Sequence, residues 1–74
     1  MRIEYDPEAD ALYIYLRMVE PHHNVDIEEG VSVDLDGDGH IVGIEILDAS
    51  KRMTRQELAS ISYENLLLAA VPEE

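Results

Sequence analysis

The residues with the most evident chemical potential lie in "DLDGDGHIVGIE", Asp34 to Glu45. Their spacing fits the calcium-loop pattern DxDxDGxIxxxE. Asp34, Asp36 and Asp38 supply hard oxygen ligands at alternate positions, and Glu45 stands where a calcium loop places its two-oxygen ligand. Such a loop is held between two helices and wraps all twelve residues around the ion. Both flanks of this stretch instead alternate apolar and polar residues as strands do. If residues 39 to 45 are extended, six steps of about 3.3 Å carry Glu45 roughly 20 Å from the turn, too far to close the cage. The expectation is therefore a β-hairpin. Asp34, Asp36 and Asp38 alone would make a weak, hydrated cation site at most, so no metal and no cofactor is assigned.

The other candidate groups are sparser. His22 and His23 are neighbours, which point in opposite directions on an extended chain, and His40 is distant in sequence. Ser32, Ser50, Ser60 and Ser62 lack a GxSxG frame, cysteine is absent, and no glycine-rich loop could cradle a phosphate. Asp6 and Asp10 form a carboxylate pair of the kind used in acid-base chemistry. A small sheet with one helix offers little concavity to enclose a substrate, so the reading is that the protein is not an enzyme.

These side chains must be positioned by elements of two periods. "RIEYD" and "LYIYL" alternate, with Leu12, Ile14 and Leu16 on one face and Tyr13 and Tyr15 on the other. Asp6 and Pro7 open the connection between them, since the Asp side chain accepts from backbone N–H groups ahead of it and Pro presets φ. "RMVEPHHN" is a longer crossing loop. In "NVDIEEGVSVDL", a three-residue loop Glu28, Glu29, Gly30 pairs Ile27 with Val31 and Val25 with Val33 and leaves Gly30 where a left-handed backbone is needed. A two-residue Asp38-Gly39 turn then sets Leu35 against Val42, Val33 against Ile44 and Val31 against Ile46. After "DAS" the period lengthens. Thr54 with Glu57 is a capping-box signature, and Leu58 and Ile61 follow at helical spacing, which starts a helix near Thr54. Ser62 and Asn65 interrupt the stripe, so "YENLLLAAV" continues that helix or forms a second one.

The expected fold is α+β: a single domain over 1–74, an antiparallel meander of about five strands over 1–50, and a helical tail over 51–74 packed on one face. That face collects Ile3, Tyr5, Ile14, Val33 and Ile44 among its apolar residues, and a helix should cover it. The opposite face keeps Tyr13, Tyr15, Ile41 and Leu47. With Leu67 of the tail, these are the candidate interface residues, because aromatic residues on an otherwise acidic surface favour protein contacts.

Composition narrows the function classes. The net charge of −12 is concentrated in residues 1–50, which hold 13 acidic and 2 basic side chains. Such a surface repels phosphate backbones and anionic lipid, so neither nucleic acid nor membrane is an expected partner. No stretch approaches the roughly 18 apolar residues of a membrane span and "MRIEYDPEAD" is unlike a signal peptide, so the expected location is cytoplasmic. A chain of 74 residues has a thin core, and without cysteine it must gain stability from packing or self-association.

At "YDPEADALYIYL" and "EEGVSVDLDGDGHIVGIEILDAS" the chain resembles a family of short prokaryotic proteins known as the domain of unknown function number twenty-two eighty-three. The resemblance runs over roughly Ile3 to Ser50 and rests on Tyr5, Asp6, Ala9 to Ile14, Glu29 to Val31, Val33, Asp34 and Val42 to Ser50. It implies a small antiparallel sheet with a helical tail in a bacterial or archaeal cytoplasm, and it brings no established activity. The expected role is a non-enzymatic, self-associating interaction module, a homodimer first. The alternatives are an antitoxin-like or inhibitor-like acidic subunit that binds a small basic protein, and a weak cation-binding protein.

Overall fold

In the computed structural model, residues 1–65 are described. They form β1 (Arg2–Asp6), β2 (Ala11–Tyr15), β3 (His23–Glu28), β4 (Val31–Leu35), β5 (Ile41–Leu47), one 3-10 turn (Ala49–Lys51) and one α-helical turn, α1 (Arg55–Leu58). All five strands make one antiparallel sheet, in the order β1-β2-β5-β4-β3. The meander is interrupted once. The loop after β2 begins beside Val42, whose carbonyl accepts from the N–H groups of Leu16 and Arg17, and ends where the His22 N–H donates to Leu35 O at 2.8 Å. It thus carries β3 to the far edge and leaves β2 to pair with β5. This order puts the seven-residue, largely apolar β5 at the centre. The edge strand β3, "HNVDIE", is exposed along its whole length and carries charges that discourage further strand pairing.

The turns explain the register. Asp6 accepts from the N–H groups of Glu8 and Ala9 at 2.9 and 3.3 Å, as an Asx turn does, and sets Tyr5 opposite Leu12 and Ile3 opposite Ile14. Between β3 and β4, Val25 faces Val33 as expected, but Val31 faces Glu28 rather than Ile27. Ile27 is an extra residue in a bulge, which lets the chain turn at Glu29-Gly30 (Gly30 φ +82°) without losing the Val25–Val33 pair. Between β4 and β5 the pairs Val31–Ile46, Ser32–Glu45, Val33–Ile44 and Asp34–Gly43 follow the expected register. Leu35 departs from it and faces Ile41 instead of Val42. The reason is the turn, which is not the two-residue Asp38-Gly39 form. The Asp36 N–H donates to His40 O at 2.8 Å, closing a loop in which Gly39 has a φ of +85°.

The tail departs most from expectation. Thr54 and Glu57 form the full capping box, with the Glu57 N–H donating to Thr54 Oγ1 at 3.1 Å and the Thr54 N–H to Glu57 Oε1 at 2.8 Å. Yet α1 is four residues long and buries none of them. Residues 61–65, including Ser62, have no regular structure, and "LLLAAV" lies outside the described residues. Over the described residues the fold is a five-stranded sheet with one short helix, and the part of the expected tail that lies among them is α-helical only at Arg55–Leu58. Among the described residues the buried apolar side chains are only Ala11, Val33, Val42 and Ala49, and no large side chain is fully buried.

Candidate functional site

Three places bring chemically capable side chains together. The first is the corner where the β1–β2 turn meets the segment after β5. Asp10 has a left-handed backbone (φ 52°), and its carboxylate accepts from the Tyr5 hydroxyl at 2.7 Å, the Ser50 hydroxyl at 2.6 Å and the Ser50 N–H at 3.0 Å. Its backbone carbonyl takes the Ala49 N–H at 3.0 Å. Donation from Ser50, then from Tyr5, holds the Asp10 carboxyl below its ordinary value, while donating to Asp10 pushes the Tyr5 phenol up. A carboxylate this well supplied with donors is a poor proton acceptor. The Ser50 hydroxyl donates to that carboxylate, whose other donors leave it weakly basic and so poorly able to activate the serine oxygen. Asp6, the other member of the expected pair, is spent on its own turn. An open groove of about 770 Å³ lies alongside, lined by Tyr5, Pro7, Asp10, Ser50, Met53 and Leu58 among others. The sequence reading missed this cluster, because Asp10 and Ser50 are forty residues apart. The only signal was that both fall in the recognised motif.

The second place is the tyrosine face. Tyr13 and Tyr15 follow each other on one side of β2, and their rings stack with centroids 6.2 Å apart and planes 19° apart. Glu45 lies opposite Tyr13 and Gly43 opposite Tyr15. The Tyr13 phenol is pushed up first by its hydrogen bond to Glu45, and the Tyr15 phenol first by burial and then by Glu4. Both rings are half-buried. Gly43 keeps the backbones close: a Cβ there would stand 3.3 Å from Ile14 O. Of the other expected interface residues, Leu47 is exposed opposite Ala11 at the end of the sheet. Ile41 is exposed too, but the bulge sets it against Leu35 instead of leaving it in the alternation that joined it to the tyrosines. Leu67 lies outside the described residues.

The third place is the aspartate turn. Asp34 to Glu45 forms the arms and turn of a hairpin, and Glu45 sits in mid-strand opposite Ser32. Asp36 Oδ1 accepts from the N–H groups of Asp38 and His40, both at 2.9 Å, and Oδ2 pairs with Arg17 at 3.0 Å. The His40 N–H, the largest of these effects, lowers the Asp36 carboxyl. Asp34 accepts from Asn24 at 2.9 Å on the sheet face. The His22 ring lies against Gly37 of the turn. Among the described residues no group of three or more His, Asp or Glu side chains is placed to hold a metal ion.

A single antiparallel sheet with hydrogen-bonded corners defines a small β-sheet domain. Residues 2–50 match the family described as "Protein of unknown function (DUF2283)", and the chain belongs to that family. An uncharacterised protein of Methanocaldococcus jannaschii is 39% identical over 51 residues, which are 69% of this chain and 43% of that protein. A Methanosarcina mazei protein provisionally named as a hypoxanthine phosphoribosyltransferase is 33% identical over 64 residues, 84% of this chain and 51% of that protein. The chain therefore spans about half the length of these curated relatives. No solved structure matches it. Among the described residues no helix is long and apolar enough to cross a membrane.

Proposed function

We propose that the chain is a non-enzymatic, cytoplasmic protein-interaction module that works as a homo-oligomer, a dimer first. The observation that supports this reading is how little of the sheet is covered: among the described residues only Ala11, Val33, Val42 and Ala49 are buried apolar side chains, while Ile3, Val25 and Ile27 stay more than a third exposed. With no cysteine in the sequence and, among the described residues, no large side chain fully buried, association is a source of further burial. Two-fold pairing is the commonest closed form. Light scattering on the full chain tests this: a mass twice the 8.4 kDa of the chain supports it, and a mass near 8.4 kDa overturns it.

The transferase name of the Methanosarcina relative is not carried over. That match covers 51% of the named protein, and this chain has no glycine-rich phosphate loop. A second reading, an antitoxin-like or inhibitor-like subunit for a small basic protein, is favoured by the net charge of −12 together with the fully exposed β3 edge carrying Asp26 and Glu28. Copurification with the basic product of an adjacent gene would favour it.

A further inference from the structure

We infer that two copies of the chain meet through the apolar faces of their sheets, which leaves the tyrosine and carboxylate face turned outward. This rests on the self-association proposed above and names its surface. The register draws an unbroken row, Ile3–Ile14–Ile44–Val33–Val25, across all five strands. A second row, Tyr5–Leu12–Ile46–Val31, runs beside it. The first row contains no charged residue, and the second meets one only at the β3 edge, where the bulge at Ile27 sets Glu28 opposite Val31. The corresponding row on the other face, Glu4–Tyr13–Glu45–Ser32–Asp26, contains three carboxylates. Two chains of net charge −12 repel, and the contact that best keeps their carboxylates apart is the one between the faces poorest in charge. That face is open at both edges: Ile3 is 36% and Val25 42% exposed, and no residue of α1 is itself buried.

The competing occupant is the chain's own C-terminal segment. Ile61 and Tyr63 line a hollow with Met1 and Ile3, so the chain passes the β1 edge shortly before the apolar run Leu66 to Val71. Area decides against it. Five strands about 4.8 Å apart and about five residues long present a face of roughly 24 by 17 Å. A single run of six residues, about 20 Å long when extended and about 10 Å wide, covers around half of it. A second sheet matches it in both dimensions, and sheets pack face to face about 10 Å apart with their side chains interleaved.

Two measurements on the full chain test the inference. In sedimentation equilibrium, Val25→Glu should weaken the wild-type dimer at least about a hundredfold, because it places an unpaired carboxylate in an apolar contact, while Tyr15→Glu leaves it intact. Dissociation by Tyr15→Glu but not by Val25→Glu would overturn the face and leave self-association standing. A monomeric wild type would remove both. In a mixed sample of isotope-labelled and unlabelled wild-type chains, which needs no variant to fold, methyl contacts between chains should join Ile3, Ile14, Val25, Val33 and Ile44. Contacts from these methyls to Leu66, Leu67 and Leu68 of the same chain, with none between chains, would show that the tail covers the face and would refute the inference.

Discussion

Val33→Ala and Val25→Ala measure how well the apolar row is covered inside the sheet and at its β3 edge. Val33 lies between Val25 and Ile44 and is only 8% exposed. Removing two methyl groups costs about 0.8 kcal/mol each when the site is fully buried, so Val33→Ala should cost about 1.5 kcal/mol. The cavity contribution is small because a single-layer sheet lets neighbours settle. Val25 is 42% exposed in the isolated chain and should cost proportionately less, about 0.9 kcal/mol. For a domain of this size these values correspond to falls in Tm of about 6–12 °C and about 4–7 °C. Thermal unfolding followed by far-ultraviolet circular dichroism gives both. If a second copy covers the face, Tm should also rise with protein concentration and the Val25 deficit should grow toward that of Val33. A fall of less than about 2 °C for Val33→Ala would refute the assignment of this face as the core. A Val25 deficit independent of concentration would refute its coverage by a second copy.

The remaining expectations concern charge. Calorimetric titration should show no Ca²⁺ binding tighter than about millimolar, because Asp36 is committed to Arg17 and its own loop and Glu45 lies in mid-strand; micromolar affinity lost in Glu45→Gln would refute this. Tm should rise as NaCl increases from low salt to about 0.15 M, where the Debye length is about 8 Å, since screening relieves repulsion among the carboxylates. A flat or falling trend would mean that the ion pairs Arg2–Glu4, Arg17–Asp36 and Arg52–Glu28 outweigh the net charge of −12. The Asp10 carboxyl is lowered by folding, so its stabilisation should be complete above the ordinary carboxylate range and lost as pH falls through its folded value. Subtracting the acid-unfolding curve of Asp10→Asn isolates that loss from the opposing relief of repulsion, and identical curves would show that Asp10 contributes nothing.

The features legible in the sequence were those set by neighbours in the chain. Alternation gave the Val31–Ile46 and Val33–Ile44 pairs, and the Thr54–Glu57 spacing gave the capping box, because each depends on residues within one turn or one hairpin. The two bulges were not legible. An extra residue at Ile27 or Val42 leaves composition and propensity unchanged and shifts only the pairing beyond it. Strand order was hidden for a related reason. Nothing local tells β2 to pair with β5; that follows from placing the most apolar strand centrally and the charged β3 at an edge, a choice made by the whole sheet. The helix was overextended because Leu58 and Ile61 satisfy helical spacing, while α1 ends at Leu58, followed by Ala59 as its cap.

The tyrosines carry the same lesson to the candidate site. Read as a sequence, Tyr13 and Tyr15 are surplus apolar surface on an acidic face. In the folded sheet they stack on one another, and their hydroxyls have Glu45 and Glu4 as neighbours, so much of their capacity for contact is met within the chain. A tyrosine beside a carboxylate can satisfy its polar end and bury its ring against the next tyrosine, and it then needs no partner. The isoleucines and valines of the other face have no such local outlet. They can leave water only by packing against a second layer, and among the described residues the only helix is the four-residue turn Arg55–Leu58, none of it buried. On the self-association proposed above, the contact therefore falls on the isoleucine and valine face, and the stacked tyrosines stay outside it.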